Sequence, residues 1–568
     1  MTSPGTLTTR RLLAAALIAG VSAPLLAPTS AQILIDDDFD GTGIIDWETW
    51  RIPFGGDGSF LGRTQLGTDP NTDVPEQVNG SAVLTLNTTS PVDPGGAFFG
   101  QEFQSRASFA RGGGLAVEYV ARLDPASIPS GVGGVVGGLF SFDTTRSVGG
   151  NLVRDEIDTA ELLTNEVASG QNRNFTNLWN DGGFDSGGNP AFVNAPADLT
   201  AFNTYRTEWT PDAVRFFVNG NLVRTVTGAD VPDDPMSVRA NIWAPDAGFV
   251  EAYDASLVPT ADAGSNQEIR LEVDRITVER FNTTLSDNLL TNGSFENGTT
   301  GWNLFGNASV ESATADPSIP TDDGDGVLKT FGPFSGSTNA SGAFQDVPAL
   351  PGQEFEAMIR VINSTTANGG LDDLTGTNNF AELGIQFLDA SGNFIDADQD
   401  NDPFVSDNQR VVSVVDGRDP NIISDEYLTG VTNAIAPEGT AFARINLPFV
   451  QLIDDNGGPD GGAAYWDSAS LRLIEAAAAL GIIGDYDDSG QVEQGDLNLV
   501  LNNWGQAAPF DPNGDPFATV NVDQEELNRV LNNWGSTTAP SFEGAAVPEP
   551  GALAVAGLAL AGLLKRRR

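Results

Sequence analysis

The chain has no cysteine and no histidine. The first absence rules out disulfides, thiolate zinc sites and a cysteine nucleophile. The second rules out serine–histidine triads and histidine-held metals, which leaves carboxylates as the main acid–base groups. Basic residues are also scarce, with 28 Lys and Arg against 77 Asp and Glu and a net charge of −49. Such a chain repels nucleic acid and anionic membranes, and suits neutral sugars or calcium. Apolar residues make up 40%, with nine Trp and 32 Phe, so this is a folded chain and not an acidic disordered one. At 568 residues it exceeds a single core, and two to four domains are expected.

The acid–base groups gather in one stretch, Arg154-Asp155-Glu156-Ile157-Asp158-Thr159-Ala160-Glu161-Leu162. Side chains alternate along a strand, so Glu156 and Asp158 share a face and Glu161 points away. A one-residue bulge after Asp158 returns Glu161 to that face. Composition alone favours a solvated acidic strand. The apolar neighbours Ile157, Ala160, Leu162 and Leu163 favour a strand inside a sheet, where purposeless carboxylates are costly. Two glutamates on one wall are what a retaining glycosidase needs, at a carboxyl separation of about 5–5.5 Å.

Here the chain resembles glycoside hydrolase family 16, whose bulged active strand reads Glu-x-Asp-x-x-Glu. The resemblance implies Glu156 as nucleophile, Glu161 as acid and base, and Asp158 between them, with no catalytic cofactor. From 33 to 281 short alternating strands are broken by Gly, Pro, Asn and Asp, and Asn219-Gly220-Asn221 marks a hairpin. An all-β jelly-roll sandwich is expected. Phe39-Asp40-Gly41 with Trp47 and Trp50, Tyr205 to Asp212, and Pro235 to Trp243 resemble further family strands in order. Phe140, Trp179 and Trp243 are candidates for stacking on sugars, with core packing as the alternative; core packing is the expectation for Trp47 and Trp209. Asn241 lies on a cleft strand by the same resemblance, and Arg63 and Gln65 stand where the family places polar cleft residues. The family's Trp-Pro-Ala-x-Trp-like strand is replaced by Gly134 to Phe140, which removes aromatic platforms. The resemblance implies an endo-acting enzyme on β-1,3-glucan or a galactan such as agar or carrageenan. The alternative is a non-catalytic glycan-binding or matrix protein on the same scaffold.

The remaining segments point outside the cell. Arg10 and Arg11 before an apolar run to Ala27 read as a signal peptide over 1–31. Residues 288–474 open with Asn288 to Glu296 and close with Ala464 to Leu471, resembling carbohydrate-binding modules of families 4 and 9. That implies a second β-sandwich, with Glu296 and Asp467 as ligands to structural calcium. Over 484–535 two short helices recur, beginning at Leu497 and Leu527, each after an acidic loop. Asp485, Asp487, Ser489, Gln491, Glu493 and Asp496 fit an EF-hand-type calcium loop. Asp511, Asn513 and Asp515 form a second loop whose register is interrupted. The pair resembles dockerin repeats, implying a cohesin-like or surface partner. Over 547–568, Val-Pro-Glu-Pro, an apolar run and Lys-Arg-Arg-Arg resemble a PEP-CTERM sorting signal. It implies a transient inner-membrane tether, an exosortase-type peptidase, and delivery to the surface of a Gram-negative-type bacterium.

Overall fold

The computed structural model describes residues 32–476, apart from 54–59, 145–146, 149–150, 184–187, 195–196, 333–337, 396–408, 420 and 453–460, together with 494–502, Leu527 and Val530. The signal segment, the two acidic loops of the 484–535 region and the sorting tail lie outside the described residues.

The protein is all-β, with a jelly-roll sandwich first. Its inner sheet runs Trp50–Arg51, Phe98–Phe109, Met236–Trp243, Val136–Asp143, Asn151–Leu163, Asn174–Gly183 and Ala191–Val193, antiparallel throughout. The outer sheet runs Asn221–Thr227, Ala213–Val218, Asn203–Trp209, Leu115–Leu123 and Glu268–Arg280. Gln32–Asp37 and Ala82–Asn87 pair with successive parts of that last strand. Alternation explains the layering: in Asn203–Trp209 every second residue is buried, and the buried set faces the other sheet. Trp50, Phe39 and Phe103 interlock at the centre, with Trp50 edge-on to Phe103 at 5.0 Å between centroids. Trp47 and Trp209 belong to this core. Asn219 (φ 50°) and Gly220 (φ 74°) form the expected hairpin turn, a left-handed pair that Asn and Gly tolerate.

A second sandwich follows. Its first sheet orders Asn307–Ser312, Gly326–Phe331, Ala463–Ala476, Glu354–Ile362 and Leu428–Ile435. The other orders Asn303–Phe305, Asn339–Pro348, Phe442–Gln451, Phe380–Leu388 and Gln409–Asp416. Trp466, Phe355 and Phe387 fill the space between them. Residues 283–285, between the 33–281 and 288–474 segments, are a strand pairing with Ala463–Ala476, so this sheet starts directly after the first sandwich.

The two sandwiches are joined by buried polar contacts. Arg280 pairs with Glu356 at 2.6 Å, and Arg106 with Asp419 at 3.2 Å. Asp419 also accepts the indole N–H of Trp47. Replacing Asp419 by Ala leaves a buried guanidinium and a buried indole N–H without this acceptor, a loss of roughly 3 kcal/mol. A differential scan of the full chain is expected to show the first sandwich melting several degrees lower; an unchanged transition means the junction contributes nothing.

Candidate active site

Register across the inner sheet gathers side chains from five strands onto one open face. In one row Phe142 lies opposite Glu156, and Glu156 opposite Trp179. The next row runs Gln104, Arg239, Phe140, Asp158 and Asn177. The third runs Glu102, Asn241, Gly138, Glu161 and Phe175. All of these but Gln104 line a cleft of about 820 Å³ that includes Glu156, Asp158 and Glu161.

The bulge makes this possible, and its extra residue is Thr159. Leu139 pairs with Ala160 and Phe140 with Asp158, leaving Thr159 unopposed. Thr159 and Ala160 are both buried, and the Thr159 hydroxyl meets the Thr207 hydroxyl of the outer sheet at 3.2 Å. With both inward, Glu161 rejoins the open face.

Burial is the largest influence on all three carboxyls. It pushes Glu156 up to about 7, while the nearby Arg154 and Arg239 guanidinium groups hold it from rising further. Burial, then the charge of Glu156, pushes Glu161 up to about 8. Asp158 is raised well above the usual carboxylate range by burial and by the charges of Glu156 and Glu161. The hydrogen bond between Asp158 and Glu156 adds to this, favouring the protonated form of Asp158 and the ionised form of Glu156. Burial and mutual repulsion raise all three carboxyls, and the guanidinium groups of Arg154 and Arg239 beside Glu156 favour its ionised form.

Other residues singled out by sequence are placed as follows. Phe140, Trp179, Trp243 and Asn241 line the cleft. Trp243 stands beside Phe249 with centroids 6.1 Å apart, and Phe249 also meets Phe175 at 5.3 Å, forming an aromatic wall near Glu161. Asn241 donates to Glu102 at 3.1 Å. A Cβ on Gly138 would come within 2.4 Å of the Asn241 amide oxygen, so the absence of a side chain there makes room for this asparagine. Arg63 and Gln65 are corrections, since neither lines the cleft. Arg63 donates to the backbone oxygens of Pro245 and Leu257, each at 2.8 Å, and lies over the rings of Phe98 and Tyr253. With a third bond from Nη2 to the backbone oxygen of Asp254 at 3.3 Å, its guanidinium ties down the 245–257 loop. Gln65 accepts from the Ser90 hydroxyl at 3.3 Å.

The two carboxylates read as calcium ligands in the second sandwich are occupied by backbone. Glu296 accepts from the N–H groups of Asp325 and Gly326, and Asp467 from those of Asp322, Asp323 and Ser468. Among the described residues the acidic group with metal-like spacing is a different one, Asp155, Asp181 and Asp234. Asp155 already accepts from the backbone N–H groups of Asp181, Asp233 and Asp234. The ligands proposed at 485, 487, 489, 491, 493, 511, 513 and 515 lie outside the described residues; Asp496 falls within the helix Gln494–Asn502. Val500, Leu527 and Val530 are buried there.

Sequence reasoning missed Glu102, Arg154, Arg239 and Asn177. Arg154 was within reach, since strand alternation puts it on the face of Glu156. The others come from different strands, placed by a register that local sequence does not carry.

Residues 70–284 match the family model Glycosyl hydrolases family 16, and residues 546–568 match the PEP-CTERM protein-sorting motif. A Beta-glucanase of Brevibacillus brevis is 32% identical over 116 residues, 20% of this chain and 41% of the relative. A Beta-glucanase of Paenibacillus polymyxa is 30% identical over 161 residues, 28% of this chain and 58% of the relative. The chain thus spans about half the length of these curated relatives. Among solved structures, the laminarinase catalytic domain from Thermotoga maritima is 18% identical with a TM-score of 0.33, covering 44% of this chain and 98% of that one. The sorting motif marks the chain for export to the surface of, or release from, a Gram-negative bacterium.

Proposed function

We infer, from a family 16 glycosyl hydrolase domain and a surface-sorting signal on one chain, that this protein is an exported endo-acting hydrolase of β-linked polysaccharide. The observation that carries this is the cleft with Glu156, Asp158 and Glu161 side by side on a bulged strand. Glu156 attacks the anomeric carbon and the bond to the leaving oxygen breaks as Glu161 protonates it. A covalent glycosyl–enzyme results, with inverted configuration. Glu161, now a carboxylate, takes a proton from water, whose oxygen displaces Glu156 with a second inversion. Asp158 keeps its proton throughout and steadies Glu156. No metal enters these steps.

The likeness to two Beta-glucanases favours a β-glucan over a galactan, and the aromatic wall of Phe175, Trp243 and Phe249 offers apolar faces for sugar rings. The second sandwich would hold the enzyme on polysaccharide. The 484–535 region would bind calcium and a cohesin-like or surface partner, and an exosortase-type peptidase would remove the tail. Assay of the full chain on β-1,3-glucan, mixed-linkage glucan, agar and carrageenan tests the reading. New reducing ends on a β-glucan are expected. Binding without cleavage on every substrate would make it a glycan-binding protein instead.

The charge order also fixes a pH profile. Glu156 works ionised, above about 7, and Glu161 works protonated, below about 8. Activity should rise with pH through the first value and fall through the second, giving a narrow bell with its optimum between them. A flat profile from about pH 5 to about pH 9 would contradict these roles.

A further inference from the structure

Arg154 stands two residues before Glu156 on the same face of the strand, with its Nη1 3.2 Å from the Glu156 Oε2. Its guanidinium carbon lies 3.8 Å from the centroid of the Trp179 ring, and Trp179 is the cross-strand partner of Glu156. The same ring is packed against the backbone at Gly188, where an added Cβ would fall 2.5 Å from Trp179 Cε2. Trp179 thus meets both a cation and the main chain at Gly188, while Trp243 and Phe249 stand apart from it, beside Phe175 in the row of Glu161. The charged groups facing Glu156 are Arg154 and Asp158 on its own strand, Glu161 beyond the bulge, and Arg239 and Glu102 on the strands Met236–Trp243 and Phe98–Phe109. Glu251, from the loop after Trp243, acts on Glu161. Arg239 is itself engaged by Glu102 at 3.2 Å, so part of its charge is spent there.

We propose that Arg154 is the positioning residue that makes Glu156 the ionised member of the trio, and that Trp179 is the rest for its guanidinium and not a platform for sugar. This rests on the hydrolase reading and adds a cause for the division of labour between two glutamates of the same strand. An opposite charge within about 4–6 Å lowers a carboxyl by roughly one to three pH units. The shared π face fixes the guanidinium plane, which a flexible arginine in solvent would not hold. Arg154 also acts on Glu161 and Asp158, so its removal shifts all three upward, Glu156 most.

The test uses the full chain with ¹³C-carboxyl glutamate, the Glu156 signal being assigned by its loss in Glu156→Gln. In Arg154→Gln the Glu156 titration midpoint is expected to rise by about one unit or more, and in Arg154→Lys to return most of the way. The acid limb of the kcat/KM profile should move by the same amount, so activity falls about tenfold on the acid side and about threefold near the original optimum. Trp179→Leu should shift the midpoint the same way by less. An unmoved Glu156 midpoint in Arg154→Gln overturns the proposal. An unmoved midpoint in Trp179→Leu, with KM alone raised, restores Trp179 as a sugar platform. The spectra answer even if no glycan is cleaved, so failure of the hydrolase reading and failure of this inference are separable.

Discussion

Glu156→Ala is expected to lower kcat/KM on polysaccharide by about 10⁴-fold or more, in the range seen when a covalent nucleophile is removed. The geometry makes a sharper demand. The small residue leaves room beside the anomeric carbon, on the face from which Glu156 attacks. Added azide should enter there and react with an aryl β-oligosaccharide, forming a C–N bond as the phenolate leaves. The expected product is the α-glycosyl azide, inverted relative to substrate. A β-azide, or rescue no better than in the intact protein, means that Glu156 is not the nucleophile.

Glu161→Gln carries the second large effect and a different signature. Removing the acid should cost about 10²–10⁴-fold on polysaccharide, where the departing sugar oxygen needs a proton. On an aryl glycoside with a good leaving group glycosyl transfer to Glu156 should persist, because a stable phenolate departs unprotonated. Hydrolysis of the covalent intermediate still lacks its base, so a burst of phenol followed by slow turnover is expected. Equal losses on both substrates, with no burst, would remove Glu161 from this role. The elevated position of Glu161, at about 8, is what lets it hold that proton at neutral pH.

What sequence could show followed from the range of the forces involved. Strand alternation and the bulge are local, so the spacing of Glu156, Asp158 and Glu161 is enough to put all three on one face. The jelly roll was equally legible, from short alternating strands and the Asn219-Gly220 turn. The bulged residue was not, because nothing local distinguishes Thr159 from Ala160; the choice is made by Leu139 and Phe140 across the sheet. Glu102 and Arg239 meet the trio only through the register of strands far apart in the chain. Arg63 failed for the same reason. A polar residue near a cleft strand looked like a substrate ligand, but the loop it secures comes from residues 245–257. Residue type is an incomplete guide at Trp179: a tryptophan lining a cleft suggests stacking on a sugar, and here the Arg154 guanidinium also lies over its ring.

The most direct test of the central claim is the anomer released at the first cleavage. Proton NMR of a β-linked oligosaccharide cut by the full chain, read before mutarotation, should show the new reducing end appearing as the β anomer and relaxing later to the equilibrium mixture. That outcome requires two displacements, and so a nucleophile and an acid–base pair placed as Glu156 and Glu161 are. An α anomer appearing first would mean a single displacement by water, and would contradict the account.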